Sequence, residues 1–403
     1  MKASAPPAGC LADLRVIDAS NFLAAPSISM HLGDLGADIV KLERPGSGDE
    51  LRAWGSARDG VGLYAKVINR NKRSVCADLR TPLGQETARR LVRNADLIVE
   101  NYRPGTMEKW GLGYDALREI NPRIVMLRVT GYGQSGPSSQ KPGFGTALEG
   151  YAGAAYISGD PDRPPMLPAF GLADSSSGLM GALLGLAAVH EARRSGKGQV
   201  VDLALYETMF AMLGPFVVDY DQHGRVQERT GSRLPWVAPR NVYATRDGGY
   251  VSLSASSDRS FQRLCEALDL PDLPSDPRFM TNRDRVANVE ALDAALQAAM
   301  LGFDRAALIA HLEAADAVVA PVNSVADILQ DTHIVARGNV IEVDDPVLGP
   351  MRMQAPAGRM SRTPQAVRHS GASVGEHTRE VLIGELGFSE DELRAAGLGG
   401  DWS

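Results

Sequence analysis

Residues 171–185 read GLADSSSGLMGALLG and set a carboxylate, Asp174, at the mouth of an apolar segment. Three serines follow it, and glycines stand at 178, 181 and 185. An aspartate in this place has two uses. As a helix N-cap, its oxygens accept from backbone N–H groups that lack intrahelical partners, and the helix dipole favours its charge. Alternatively, it is a carboxylate placed to react. The cap is the routine reading. The glycines argue for more, because all three fall on one helical face and each costs about 0.8–1 kcal/mol relative to alanine. Something must approach the backbone there, either a neighbouring helix or a ligand.

Two basic spots are the next candidates. NRNKRS (69–74) concentrates Arg70, Lys72 and Arg73, and KLERPGSGD (41–49) places Lys41 and Arg44 at the carboxyl end of a strand pattern. They read either as solvated basic loops or as one site for a polyphosphate, whose oxygens suit arginine forks and lysine point charges. GYGQSG (131–136) matches G-x-G-x-x-G after a strand pattern. Its context is wrong for a dinucleotide, since Pro137 and SSQKPG continue as loop where a helix should open. No NAD site is therefore expected. No G-x-S-x-G and no P-loop occur. The seven histidines show no ligand spacing, so no metal site is expected either. The three cysteines, Cys10, Cys76 and Cys265, are far apart and fit a reducing compartment rather than a disulfide framework.

The elements that must hold these residues alternate along the first half of the chain. RVIDAS (15–20), DIVKLE (38–43), SVCADL (74–79), DLIVEN (96–101), RIVMLRVTG (123–131) and QVVDLAL (199–205) read as buried strands. Helices fall between them, one from Pro26 and one over 81–95 with Thr81 as cap and Pro82 in the first turn. This alternation implies an α/β fold with a largely parallel, doubly wound sheet. Asp219 to Gly231 is a polar stretch, and NVYATRDGGYVSLSA (241–255) reads as a hairpin around Asp-Gly, with helical patterns following over 258–315. The expected organisation is a large Rossmann-like domain over 1–205, a small α+β domain over 226–322, and a linker with a C-terminal segment over 323–403. That last part has an extended stretch at 345–360 and a helix at 376–387.

The bulk properties narrow the class. A chain of 403 residues supports two or three domains. Its net charge of −7 gives no footprint for nucleic acid. The run Leu179–Val189 is shorter than the ~20 residues that span a bilayer, and MKASAPPAGC lacks the pattern of a signal peptide. The expectation is a cytoplasmic protein without membrane or nucleic-acid partners.

Six stretches together resemble the class III CoA-transferases: DLGADIVKLERPGSGD (34–49), NRNKRSVCADLRTPLGQ (69–85), ADLIVENYRPGTMEKWGLGYDALREINPRIV (95–125), GYGQSGP (131–137), ADSSSGLMGALLGLAAVHEARRSGKGQVVDLAL (173–205) and GEHTREVL (375–382). That family includes formyl-CoA transferase and crotonobetainyl-CoA:carnitine CoA-transferase, and is related to the α-methylacyl-CoA racemases. The resemblance implies a Rossmann-like domain with a smaller α+β domain, two such chains interlaced into a homodimer, and a C-terminal segment that returns to the large domain. A heterodimer with a homologous subunit is the alternative. It implies acyl-CoA and a carboxylic acid as substrates, with Asp174 as the nucleophile that passes through aspartyl anhydride and aspartyl-CoA thioester intermediates. The glycine face of the helix then becomes room for the thioester and the pantetheine arm.

Matching positions put Phe22, Leu23 and Ala24 along the adenosine or pantetheine path, Arg44 with Lys72 or Arg73 at the phosphates, and Asn101, Tyr102 and Lys109 at the nucleotide and pantetheine. Tyr102 reads equally well as core. The racemase branch carries a histidine where this chain has Phe144, and no histidine occurs between 130 and 180. Phenylalanine cannot move a proton, which favours transfer over racemisation. An isomerase and a non-catalytic subunit remain the alternatives. GSRLPWVAPRNVY (231–243) lacks the glycine-rich loop of formyl-CoA transferase, which argues against oxalate as acceptor. Arg240, with Arg233 close by, is the candidate to bind the second carboxylate of a dicarboxylic acid such as succinate; a surface arginine is the plain alternative.

Overall fold

The computed structural model describes residues 9–398. The first eight residues, part of the stretch read as lacking a signal peptide, lie outside the described residues. Two compact units are formed, one from residues 9–154, Leu167–Pro215 and 335–398, the other from Ala155–Met166 and Phe216–Ile334.

In the first unit six strands make one sheet: β1 (Arg15–Ala19), β2 (Asp38–Glu43), β3 (Lys72–Cys76), β4 (Leu97–Glu100), β5 (Val125–Thr130) and β6 (Val200–Ala204). Every neighbouring pair is parallel and the order is β3-β2-β1-β4-β5-β6. This is the doubly wound order whose direction of winding reverses between β1 and β4. Side chains alternate across the strands, so that Ile17, Ile98 and Met126 enter one core while Val16, Leu97 and Val125 enter the other. Both faces are covered, which is why the strands read as continuous apolar runs.

The helices are α1 (Ala24–Asp34), α2 (Leu63–Ile68), α3 (Pro82–Val92), α4 (Thr106–Lys109), α5 (Tyr114–Ile120), α6 (Gly145–Tyr151), α7 (Leu172–Ser195) and α8 (Leu205–Ala211). Thr81 caps α3 through Gly84 N–H at 3.2 Å, as expected from its sequence. α1 starts at Ala24, two residues before Pro26, and the proline still falls in the first turn, where its missing N–H leaves no bond unmade. β3 begins at Lys72 rather than at residue 74. Two cations at the head of a buried strand read as loop, but here each has a carboxylate in the same sheet, Asp18 of β1 for Lys72, across β2, and Asp38 of the neighbouring β2 for Arg73.

α7 has 24 residues and is long and apolar enough by composition to cross a bilayer, more than the run Leu179–Val189 suggests. Half of its most apolar 18-residue stretch is buried, as in a core helix. Its glycines explain the packing. A β-carbon on Gly178 would stand 2.7 Å from Ser27 Cβ, and one on Gly181 would stand 2.8 Å from Ile28 Cγ1. Gly185 faces Leu127 and Leu97 of the sheet at 3.4 Å. The glycine face therefore admits α1 and the sheet. It does not make room for a pantetheine arm.

The C-terminal segment packs on the first unit. Asn71 N–H donates to His369 O at 3.2 Å, Cys76 N–H donates to Thr378 Oγ1 at 2.9 Å, and Lys66 pairs with Asp345 at 2.7 Å. The stretch around 345–360 forms a hairpin of Val340–Asp345 and Gly349–Gln354. The expected helix at 376–387 is a π-type turn at Glu380–Glu385, followed by a helix at Glu390–Ala395.

The second unit has a three-stranded antiparallel sheet in which Tyr250–Ser254 is central, flanked by Arg240–Ala244 and Val319–Pro321. Its core joins Phe261, Leu264, Leu292, Leu296, Leu308 and Leu312. The Asp247-Gly248 turn of the hairpin is present, with Gly248 at φ 77°.

Candidate active site

The loops after β1 and β4 meet where the winding of the sheet reverses, and they wall a cleft that also takes in Trp54, Thr130, Lys141, Phe144 and Asp174. Ligands of doubly wound sheets bind in this place, outside the carboxyl ends of the strands. Of the residues singled out from the sequence, Phe22, Leu23, Ala24, Asn101, Tyr102, Phe144 and Asp174 line this one cleft.

The loop after β1 is held by its neighbours. Asn101 donates from Nδ2 to Asn21 O at 2.8 Å and accepts from Asn21 N–H at 3.0 Å. Both ends of its amide are thus used on the protein, and Asn101 shapes the cleft rather than presenting its amide to a ligand. Phe22 adopts a positive φ of 66°, uncommon for a side chain of this size. Its N–H donates to Asp49 Oδ1 at 2.9 Å, and Asp49 is anchored by Lys41 at 2.9 Å. The ring of Phe22 meets Trp54 and Phe144, each at 5.3 Å between centroids, so three aromatics form one wall. Tyr102 belongs to wall and core at once. It stacks edge-on against Trp110 at 4.9 Å, and burial pushes its phenol up to about 12.

Asp174 is not a cap. Helix α7 begins at Leu172, with Gly171 before it, so the carboxylate sits on the third helical residue. Among the described residues it accepts no hydrogen bond. The orphan N–H of Ala173 goes instead to Glu149 Oε1 at 3.0 Å. Ser176 and Ser177 turn away to Thr208, at 3.1 and 3.0 Å. Room at the carboxylate comes from Gly145 and Gly171. A β-carbon on Gly145 would collide with Oδ2 and stand 2.9 Å from Cγ, and one on Gly171 would stand 3.1 Å from Oδ2. Helix-end donors were expected to hold Asp174 ionised. The opposite balance prevails, because burial and then the neighbouring Glu149 push its carboxyl up to about 6.

The phosphate assignments need correction. Lys72 is 1% exposed and donates to Asp18 Oδ2, Pro26 O and Asn69 Oδ1 at 2.9, 2.7 and 3.2 Å. Arg73 binds Asp38 at 2.8 Å and reaches Glu380 at 3.0 Å, with Glu385 as a further partner. Arg70 pairs with Asp34. The basic cluster is neither a solvated loop nor a phosphate site, because the fold sets each cation beside a carboxylate, Asp34 at the end of α1, Asp18 on β1 and Asp38 on β2. Arg44 is part-exposed and paired with Glu50, and Lys109 is exposed at the end of α4; neither lines the cleft. Two cations that the sequence reading passed over do line it, Arg103 and Lys141, and neither has an ion-pair partner among the described residues. The hydroxyl of Thr130 in the cleft wall is buried without a hydrogen-bond partner. The only sequence signal for these groups is their place at the carboxyl end of a strand, for Thr130, or in the loops that follow strands, for Arg103 and Lys141. After GYGQSG the chain stays in turns until α6 opens at Gly145.

In the second unit Arg233 is neutralised by Asp293 at 2.7 Å, whereas the Arg240 side chain has no ion-pair partner among the described residues and donates to the carbonyl of Ser232.

The cleft thus offers an unbonded carboxylate at the switch point, an orphan hydroxyl and two free cations, a set suited to an anionic acyl carrier. The chain has relatives of known activity. Over 384 residues, covering 95% of this chain and 96% of the relative, it is 41% identical to succinyl-CoA–D-citramalate CoA-transferase of Chloroflexus aurantiacus. It is 38% identical to the beta subunit of succinyl-CoA–L-malate CoA-transferase of the same organism, covering 95% and 96% of the two chains. Succinate–glutarate CoA-transferase of Agrobacterium fabrum is 34% identical, with 92% and 94% covered. A CAIB/BAIF family protein from Brucella suis has the same fold, with a TM-score of 0.83, 33% identity, and 94% and 99% of the chains covered. Residues 11–378 match CoA-transferase family III, and the chain belongs to that family of enzymes.

Proposed function

We propose that this enzyme moves CoA from succinyl-CoA to a second carboxylic acid, with Asp174 as the nucleophile. The observation that carries the reading is the setting of Asp174: a carboxylate in the cleft wall, cleared by Gly145 and Gly171, that accepts no hydrogen bond among the described residues. The relatives named for succinyl-CoA or succinate support the donor.

Asp174 attacks the thioester carbonyl, the C–S bond breaks, and a mixed anhydride and CoA thiolate form. The thiolate attacks the aspartyl carbonyl, succinate leaves, and an aspartyl-CoA thioester remains. The acceptor carboxylate displaces the thiolate to give a second anhydride. The thiolate then attacks the acceptor carbonyl and restores Asp174. No proton is gained or lost, and the thioester bond is conserved without ATP. Arg103 and Lys141 supply positive charge to the phosphorylated carrier, and the Thr130 hydroxyl bonds its polar chain. Arg240 meets the second carboxylate of a dicarboxylic acid. Phe144 closes the cleft with an apolar ring that moves no proton, which disfavours racemisation. The exposed Leu179 and Leu183, one turn apart on α7, are an apolar stripe suited to a second chain of the proposed homodimer.

The test is to incubate the protein with succinyl-CoA, trap with hydroxylamine or borohydride, and map the modified peptide by mass spectrometry. An adduct on Asp174 is expected. Its absence from a folded, CoA-binding protein that exchanges the α-proton of acyl-CoA with solvent deuterium would replace transfer by isomerisation.

A further inference from the structure

We infer that Glu149 is a positioning residue for Asp174, aiming the nucleophile through the helix end and tuning it through a buried charge; this rests on the reading of Asp174 as nucleophile. Glu149 is 2% exposed on α6. Its Oε1 takes the N–H of Ala173, the residue before Asp174, at 3.0 Å. That bond satisfies a first-turn donor that no side chain of α7 reaches. It is the only hydrogen bond to the Glu149 carboxylate among the described residues, and no cation pairs with it. A glutamine would accept the same bond without placing a charge in the interior, where an unpaired charge is costly. The charge is therefore placed to act on its neighbour.

Its effect follows from the reaction. Asp174 is an anion when free and a neutral acyl group in both anhydrides and in the thioester. A fixed negative charge alongside disfavours only the free form. It makes the carboxylate more basic, a better nucleophile once ionised, and it shifts the balance toward the acylated states. The groups around Asp174 are few. Tyr64 of α2 feels its charge in turn, and Arg103 and Lys141 share the cleft. The residues of α1 and α8 that meet α7 include Ala24, Ser27, Ile28, Thr208 and Met209, none of which titrates. Glu149 is the one neighbour whose charge raises Asp174, after the effect of burial.

The experiment compares wild type, Glu149→Gln and Glu149→Asp as full chains. Carbodiimide labelling of Asp174 across pH, read by mass spectrometry, gives its titration midpoint without any turnover. Hydroxylamine trapping under succinyl-CoA gives the acylated fraction. Glu149→Gln keeps the acceptor and loses the charge: its midpoint should fall by at least half a pH unit, the ratio of acylated to free Asp174 should fall about 3-fold, and its melting temperature should not drop. Glu149→Asp keeps the charge and shortens the reach to Ala173: its melting temperature should drop while the midpoint stays near that of wild type. A folded Glu149→Gln with unchanged midpoint and unchanged acylated fraction overturns the inference. So does a Glu149→Asp midpoint at the ordinary aspartate value, which decides the matter even where Glu149→Gln does not fold. Wild type that labels normally but traps no adduct instead removes Asp174 as nucleophile, and the catalytic role of Glu149 with it.

Discussion

Gly145 lies so close over Asp174 that the first carbon of any side chain there would overlap the carboxylate, standing 2.9 Å from Cγ. Two glycine positions in this fold therefore have separable consequences. Gly145→Ala should displace the nucleophile and lower kcat by at least 10-fold, since a misplacement of about 1 Å can cost 10²-fold, with little change in melting temperature. Gly181→Ala presses on Ile28 of α1 and should cost about 1–3 kcal/mol of stability while leaving KM for acyl-CoA near wild type. Steady-state kinetics and thermal melts on the two variants check both.

Because burial and Glu149 push the Asp174 carboxyl up to about 6, kcat/KM should fall on the acid side with a midpoint there, as the nucleophile becomes protonated. Stability has the opposite sign. Between the ordinary aspartate value of 3.8 and about 6 the folded chain holds a proton that the unfolded chain has lost, so stability falls as pH rises through this window and stays lower above it. At ~1.4 kcal/mol per pH unit the full effect is on the order of 3 kcal/mol, reduced to about 1–2 by partial access to solvent. Asp174→Asn should therefore melt higher than wild type at pH 8, with the gain gone by pH 4, while losing activity. Melts at the two pH values decide this.

Asn101→Ala removes both bonds to Asn21 and should loosen the loop that carries Phe22. The expectation is a KM for acyl-CoA raised several-fold and a stability loss of about 1–2 kcal/mol. A raised KM with unchanged stability would instead mark Asn101 as a direct ligand contact.

Lys72→Met strips Asp18 of one of its two buried cations and should destabilise the fold by about 3–5 kcal/mol. Arg103→Ala and Lys141→Ala should leave the melting temperature alone, raise KM for acyl-CoA, and flatten its dependence on salt. A phosphate role for Lys72 would require the reverse pattern.

Arg240→Ala should raise KM for dicarboxylate acceptors and leave monocarboxylates unaffected. An equal effect on both would make it a surface arginine.

Much of the framework was legible in the chain because it is written locally. Short β-branched runs separated by helical periods specify a parallel, doubly wound sheet, and Thr81-Pro82 specifies the start of α3. Asp174 was visible too, as an acidic residue at the head of an apolar helix. Its neighbours were not. Lys72 and Arg73 looked like ligands for an anion because their carboxylates, Asp18 and Asp38, are 54 and 35 residues away and meet them only in the assembled sheet. Gly178 and Gly181 looked like space for a substrate and instead admit α1, while the glycine that clears the carboxylate, Gly145, stands on another helix. The cap of α7 comes from Glu149, 24 residues upstream of Ala173. Periodicity and capping act over a few residues, so the sequence by itself determined the elements and their order. Which charges cancel and which stay free depends on groups distant in the chain brought to 3 Å, and only the tertiary structure decided that.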